Sequence, residues 1–428
     1  MNGKRIFALK GNLIYTKEIG TIEIAMQHYL VCEDGKVEGI YAALPEKFRE
    51  IPVEDFGERL IIPGLTDLHV HAPQYSFRGM SMDLELLEWL ETNTFPEESK
   101  YQDLEYAEKS YRIFTDHIRR SATTRVCAFA TIHNEATLLL MDQLEEDGIA
   151  AMVGKVNMDR NGLPGVLEET TEASMRDTLR WLDRCQDTCR IHPILTPRFT
   201  PSCTDKLMEF LGRLAAERGL PVQSHLSENR AEIQWVRELH PDCEQYWGTY
   251  AKYGLWNDRT LMAHCVWSDE WERQAMKNAG VTVVHCPDSN LNLCSGTAPV
   301  RTMLTEGVRV ALGSDIAGGD HLNMFDVTAA AIRASKIRRM TDPAVPAPLT
   351  VAEAWYLATS AGAEWFGEQP GFAPGNALHT MVLSDSALPH GKSLTPAQRL
   401  ERAVYRRQPN ALRAVYSAGR KVFEAPAD

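Results

Sequence analysis

The stretch PGLTDLHVH, residues 63–71, carries the first signal of fold and chemistry in the chain. An apolar run follows the Pro63-Gly64 break and ends in His69 and His71. Because residues two apart in a β-strand point to the same face, both imidazoles would lie side by side at the end of a strand. Such a pair supplies half of a divalent-metal site, although a His-x-His pattern alone is a weak signal.

Downstream of this stretch, short apolar runs alternate with amphipathic stretches, a rhythm typical of parallel βαβ units. Eight strands with intervening helices favour an α/β fold with a distorted (β/α)8 barrel of the TIM type over an open doubly wound sheet. The eight predicted strands are Leu65–His71, Thr124–Ala130, Ala151–Asn157, Ile191–Thr196, Pro221–His225, Thr260–His264, Val281–Cys286 and Val308–Gly313.

Both ends of the chain have β character. Near the start, Asp34-Gly35 separates two apolar runs, a hairpin signal. After the breaker-rich run PGFAPG, residues 370–375, the predicted strands are Thr380–Leu383, Leu412–Ser417 and Lys421–Glu424. We therefore expect residues 1–62 and 374–428 to form one small β-sandwich domain, and residues 63–373 to form a metal-binding barrel.

Composition excludes several classes of protein. The 428 residues contain 45 Lys and Arg against 58 Asp and Glu, a net charge of −13 that argues against a nucleic-acid partner. No apolar run approaches the ~20 residues of a membrane span, and the N-terminus lacks a secretory signal pattern. Nine scattered cysteines without a Cys-x-x-Cys pair favour reduced thiols and a cytoplasmic protein.

Polar side chains fall at the ends of five predicted strands, which is where barrels of this type hold their active sites. They are His69 and His71, Arg198, His225, His264, and Asp315. Each histidine alone could be a hydrogen-bonded core residue, and Asp315 alone could cap a turn, but five coincident strand ends favour a site. Three imidazoles and one carboxylate suit a catalytic divalent cation, with zinc first and Fe²⁺ or Mn²⁺ as alternatives.

Glu228 follows His225 by three residues, where the fifth predicted strand turns into a helix. From that position its carboxylate could reach over the metal and carry a proton. The alternative explanation is a carboxylate in the first turn of the helix, where it would stabilise the helix dipole.

These residues resemble the metal-site signature of the amidohydrolase superfamily, and longer runs resemble the guanine deaminases within it. The resemblance covers residues 60–370 approximately. Its runs are HAPQYSF (71–77), EWL (88–90), TFP (94–96), FATIH (129–133), TPRF (196–199), QSHLSENR (223–230), HCPDSNL (285–291) and GSDIAGG (313–319). Pro73 and Asp288 depart from the residues that the resemblance leads us to expect, and could alter the edge of the pocket.

The resemblance implies zinc-dependent hydrolysis of guanine to xanthine and ammonia by a homodimer. It implies one zinc ion per subunit, held by His69, His71, His225 and Asp315. His264 would hold the attacking hydroxide, and Glu228 and Asp315 would transfer protons. The purine would contact Gln74, Arg198 and Phe199, together with His225, Glu228 and Asp315. The fourth predicted strand lacks the lysine that two-metal members keep at its end, which favours one metal.

Two other interpretations stay open. One is a relative that deaminates another amino-heterocycle, such as an 8-oxopurine, a triazine or an adenosine derivative, although Gln74 and the TPRF run argue against it. The other is a non-catalytic binding protein of the same fold, although every ligand position is filled here. The unrelated zinc deaminase fold needs a His-x-Glu motif together with a Pro-Cys-x-x-Cys motif. It is excluded because the sequence lacks Pro-Cys-x-x-Cys.

Overall fold

The structure is a computed structural model that describes residues 5–185, 190–386, 391–406 and 411–426. Within these ranges the strands are β1 (Ile6–Tyr15), β2 (Glu23–Glu33), β3 (Lys36–Tyr41), β4 (Val53–Pro63), β5 (Leu65–His71), β6 (Thr123–Phe129), β7 (Ala150–Gly154), β8 (Val156–Asn157), β9 (Ile191–Pro193), β10 (Thr196–Pro197), β11 (Val222–Leu226), β12 (Thr260–His264), β13 (Thr282–His285), β14 (Arg309–Leu312), β15 (Thr380–Leu383), β16 (Leu412–Ser417) and β17 (Arg420–Glu424).

Helices connect most of the strands. They are α1 (Leu86–Trp89), α2 (Phe95–Ser99), α3 (Leu104–Arg119), α4 (Asn134–Asp147), α5 (Thr171–Arg184), α6 (Asp205–Arg218), α7 (Arg230–Leu239), α8 (Gly248–Ala251), α9 (Glu270–Ala279), α10 (Pro287–Asn292), α11 (Val300–Glu306), α12 (Met324–Thr341), α13 (Val351–Ala358), α14 (Ser360–Trp365) and α15 (Pro396–Arg406). None of these helices has the length and apolar composition of a membrane span.

Two four-stranded parallel sheets form the α/β part, in the orders β5-β6-β7-β9 and β11-β12-β13-β14, and β8 pairs separately with β10. All seven residues of β5 are buried, as expected for a parallel strand covered on both faces. Backbone hydrogen bonds join the sheets where Leu195 contacts the start of β11, and where Asp315 N–H donates to His69 at 2.8 Å. The α/β class with parallel sheets is confirmed, but the assigned strand pairing of the described residues does not give one closed barrel.

Two of the eight predicted strands are each divided in two. The third splits at Lys155 into β7 and β8, and the fourth splits at residues 194–195 into β9 and β10. The Lys155 side chain forms a buried ion pair with Glu168, so this residue is anchored outside the strand ladder. Apolar residues on both sides of Lys155 and of Pro193 favoured one strand in each case, because periodicity reports burial and not hydrogen-bond register.

Strands from both chain ends form one seven-stranded sheet in the order β17-β16-β15-β4-β1-β2-β3. The predicted hairpin is present, with Asp34 and Gly35 at φ values of 50° and 83° between β2 and β3. Leu60 and Ile62 pack into the main core while Ile61 packs into a second core with Leu9 and Val382, following the two-residue period of a strand. The sheet joins both ends, but the two-layer sandwich is not confirmed among the described residues.

Candidate active site

Four predicted metal ligands converge at one end of the parallel strands. His69 and His71 come from β5, His225 from β11, and Asp315 from the loop after β14. The Nε2 atoms of His71 and His225 lie 3.2 Å apart, and Asp315 Oδ1 lies 3.1 Å from His69 Nε2 and 3.4 Å from His71 Nε2. One ligand atom from each of the four lies within 4.8 Å of the others. The structure thus brings together residues up to 246 positions apart, the separation between 69 and 315.

A short network holds the Asp315 loop against β5. Gly313 is required there, because a Cβ atom would lie 2.7 Å from the Cβ of His69. The buried Asp67 carboxylate accepts hydrogen bonds from Ser314 N–H at 2.9 Å and Ser314 Oγ at 2.5 Å. Burial raises the pKa of Asp67 to about 7. The sequence analysis did not identify Asp67 as a functional residue, although Asp67 lies inside the PGLTDLHVH stretch that predicted the metal site.

The donor set fits a divalent cation. His225 Nδ1 lies 2.6 Å from the carbonyl oxygen of Arg198, so Nδ1 donates and Nε2 keeps its lone pair for a metal. His69 Nε2 is buried and makes no hydrogen bond of good geometry, although Asp315 Oδ1 lies 3.1 Å away. Burial lowers the pKa of His69, His71 and His225, which favours the neutral ring that ligates metals. Burial opposes ionisation of Asp315, but His69, His264 and His71 hold its pKa below its ordinary value, so it stays a carboxylate.

His264 and Glu228 face the same centre. His264 ends β12 with φ at 72°, and its Nε2 lies 3.3 Å from Glu228 Oε2 and 3.7 Å from Asp315 Oδ2. Its Nδ1 lies 2.9 Å from Asn290 Oδ1, which fixes the ring. Burial raises the pKa of Glu228 to about 7, and Ser295 Oγ donates to its Oε1 at 3.1 Å. A carboxyl group with a pKa near neutrality can both give and take a proton.

Glu228 does not belong to a helix. Helix α7 begins at Arg230 and is capped by Asn229, whose side chain accepts from Ala231 N–H, while Glu232 closes the capping box. The backbone N–H of Glu228 donates to Glu232 Oε2 at 2.9 Å. The prediction that the fifth strand turns into a helix at Glu228 is therefore wrong, and so is the explanation of Glu228 as a first-turn carboxylate.

The residues predicted to contact a purine line the same cavity as three of the four candidate ligands, His71, His225 and Asp315. Its walls are formed by His71, Gln74, Leu86, Trp89, Leu90, Arg198, Phe199, His225, Glu228, Glu232, His264, Leu293 and Asp315. The lining includes apolar side chains of α1, Leu86 and Trp89, and the polar groups of Gln74 and Arg198, which we call the polar wall. This combination suits a flat ring with a polar edge.

A further buried carboxylate, which sequence reasoning missed, lies behind this polar wall. Glu98 on α2 accepts a hydrogen bond from Arg198 Nη1 at 2.7 Å and another from Gln74 Nε2 at 2.8 Å. The oxygen of the Gln74 amide accepts from Ala317 N–H at 3.0 Å. The sequence offered one indication of Glu98, its place two residues after the TFP run at residues 94–96, which is among the runs that carry the family resemblance.

Comparison with known proteins agrees with this geometry. The model of the amidohydrolase family matches residues 60–377. A curated guanine deaminase from Dictyostelium discoideum is 40% identical over 384 residues, 85% of each chain, and one from Escherichia coli is 32% identical over 416 residues, 92% of this chain and 91% of that one. A crystal structure of guanine deaminase from C. acetobutylicum with bound guanine in its active site superposes with a TM-score of 0.95 at 41% identity, covering 98% of this chain and 100% of that chain.

The chain therefore belongs to the amidohydrolase family, as its metal-site signature indicated. Within that family, the relatives that it matches over most of its length are guanine deaminases. The resemblance inferred from the HAPQYSF, TPRF and QSHLSENR runs is thus confirmed.

Proposed function

We propose that the protein hydrolyses guanine to xanthine and ammonia. One observation carries this proposal: the His69, His71, His225 and Asp315 cluster opens onto the cavity lined by Gln74, Arg198 and Phe199. A cation site alone would support many hydrolases of this family. A buried guanidinium and a primary amide beside it add donors for a carbonyl-bearing ring, and the curated relatives act on guanine.

We infer that the cation is zinc, one ion per subunit, with Fe²⁺ or Mn²⁺ as the alternatives. Three imidazoles and one carboxylate are a zinc-like donor set. A bound zinc ion would lower the pKa of water to about 7 and so supply a nucleophile at neutral pH.

The protein's own groups would move the protons. Asp315 would accept a proton from the attacking water, and His264 would hold that water through its Nε2 atom. Glu228 would protonate ring nitrogen N3 while water adds to C2, since its pKa of about 7 allows it to be protonated at the start. A carboxyl group would then protonate the departing amino group, which leaves as ammonia.

The polar wall would orient the base. Arg198 would donate a charge-assisted hydrogen bond to O6 of guanine, and Gln74 would pair with the ring edge. Phe199 would pack against the purine. Discrimination against adenine follows, because a 6-amino group cannot accept the hydrogen bond that the buried Arg198 donates.

We also propose how the whole chain is organised. Hydrogen bonds at both junctions between the parallel sheets support a distorted (β/α)8 barrel over residues 63–373, with a β-sandwich domain from residues 1–62 and 374–428.

We further propose that the protein is a homodimer, on the basis of the family resemblance, and light scattering would test this oligomeric state. Seven of the described cysteines have free thiols, which supports a reducing compartment such as the cytoplasm; they are Cys32, Cys127, Cys203, Cys243, Cys265, Cys286 and Cys294.

The direct test is incubation of purified protein with guanine, followed by ultraviolet absorbance for xanthine and by an ammonia assay. We expect stoichiometric xanthine and ammonia, and loss of both after treatment with a chelator. A panel containing 8-oxoguanine, a triazine and adenosine separates the alternatives. Ammonia release from one of these compounds at a higher kcat/KM than from guanine would contradict the proposal.

A further inference from the structure

Glu98 lies behind the polar wall, where it contacts Gln74 and Arg198 without lining the cavity itself. Its side chain is 3% exposed, as is that of Arg198. One carboxylate oxygen accepts from Arg198 and the other from Gln74, so both predicted purine contacts are held by one group. Glu98 therefore orients Arg198 and Gln74, which come from different parts of the chain. Glu98 itself is neither a candidate metal ligand nor a lining residue of the cavity.

This network also reaches the candidate metal ligands. At one end, the Arg198 carbonyl accepts from His225 Nδ1 at 2.6 Å. At the other end, the Gln74 oxygen accepts from the N–H of Ala317, which follows Asp315 by two residues. Glu98 lies between these ends, in a network of hydrogen bonds that joins the predicted purine contacts to the candidate metal ligands.

The charge of Glu98 has a separate consequence. A buried guanidinium without a counter-ion would attract an anionic ligand. Here the Glu98 carboxylate, 2.7 Å from Arg198 Nη1, neutralises that charge and leaves N–H donors in a wall with no net charge. Such a wall suits a neutral carbonyl compound. Guanine is neutral near pH 7, whereas xanthine, with a second carbonyl in place of the amino group, loses a ring proton more readily.

We propose that Glu98 is a positioning residue that orients Arg198 and Gln74 and makes the pocket prefer neutral guanine over anionic xanthine. The inference rests on the guanine deamination proposed above. It predicts that Glu98 limits inhibition by the product, because removal of its charge leaves Arg198 free to attract the xanthine anion.

The test compares Glu98→Gln with a matched control, Glu97→Gln. Glu97 is the adjacent carboxylate of α2, and it binds Ser76, Tyr106 and Lys100 in place of the purine contacts. For each protein we would measure kcat and KM for guanine, and the Kd of xanthine by calorimetry at pH values on both sides of xanthine ionisation. Calorimetry reports xanthine binding independently of turnover.

For Glu98→Gln we expect KM for guanine to rise about tenfold, with a smaller change in kcat. A tenfold rise corresponds to the loss of one well-oriented charge-assisted hydrogen bond. We expect xanthine to bind about tenfold more tightly than to wild type at the higher pH and with little change at the lower pH. Glu97→Gln should match wild type in both constants. A merely structural role of Glu98 would weaken both ligands together and would not depend on ionisation of xanthine.

Glu98→Asp keeps the charge but is too short to reach Arg198 and Gln74 together, and it replaces Glu98→Gln if that variant does not fold. We expect Glu98→Asp to raise KM for guanine while xanthine binds as in wild type. Unchanged KM, or weaker xanthine binding at the higher pH in Glu98→Gln, would overturn the inference. Absence of ammonia release from wild type would instead show that the proposed function is wrong.

Discussion

Replacement of Arg198 by alanine tests how the pocket recognises its substrate. The change removes the guanidinium proposed to donate to O6 of guanine. A hydrogen bond to a charged group contributes about 1.5–3 kcal/mol, so kcat/KM for guanine should fall about 10- to 150-fold. The backbone carbonyl of residue 198 remains, and it still accepts from His225 Nδ1, so the metal content should not change.

The same change should reduce stability. Arg198 and Glu98 form a buried ion pair with both side chains 3% exposed, and removal of one partner leaves the Glu98 carboxylate with Gln74 alone. Breaking such a pair costs about 3–5 kcal/mol in the free energy of unfolding. The double variant Arg198→Met with Glu98→Gln removes both charges, so it should regain part of this stability without regaining guanine turnover.

Three measurements on each variant separate these effects: steady-state kinetics with guanine, metal content by mass spectrometry, and chemical denaturation. An unchanged kcat/KM in Arg198→Ala would refute the role of Arg198 in recognition. Recovery of wild-type kcat/KM in the double variant would refute it as well, since the loss would then arise only from the unpaired Glu98 carboxylate.

Three further predictions concern proton transfer, metal binding and pH. Glu228→Gln should keep the hydrogen bond from Ser295 but lower kcat about 10²- to 10⁴-fold at unchanged metal content, and near-normal turnover would reject Glu228 as a proton donor. Zinc at 100 times its Kd should stabilise the metal-depleted protein by about 2.7 kcal/mol in a thermal melt, and His71→Ala should lose this stabilisation. Equal shifts of the melting temperature in wild type and His71→Ala would place the ion elsewhere. Burial raises the pKa of Glu272 from 4.5 to about 7, so the folded state holds a proton that the unfolded state releases first, and stability should decline as pH rises through this interval. Glu272→Gln should flatten that decline by up to about 3 kcal/mol in denaturation curves at several pH values, and an unchanged slope would contradict this origin.

The candidate metal ligands could be predicted because each ends a recognisable strand. β5 was predicted with its observed bounds, since Pro63-Gly64 marks its start and the His-x-His pair marks its end. The rule that barrel sites lie at the carboxyl ends of parallel strands then placed His225 and Asp315 beside it. No detail of helix packing was needed for this step.

Other features could not be read from the sequence. Glu98 lies on the five-residue helix α2, which is too short for a periodic signal, and its contact with Arg198 spans 100 positions. The breaks in the third and fourth predicted strands depend on hydrogen-bond register, which residue type does not encode. At Glu228, the capping box of Asn229 and Glu232 shifted the helix start to Arg230 and left the carboxylate in the preceding turn.

The central claim is that a single cation, held by His69, His71, His225 and Asp315, is required for guanine turnover. Titration of metal-depleted protein with zinc, with xanthine formation followed at each step, tests it most directly. We predict that turnover rises in proportion to added zinc and reaches its plateau at one ion per chain. Full turnover before any zinc is added, or a plateau at two ions per chain, would contradict the claim.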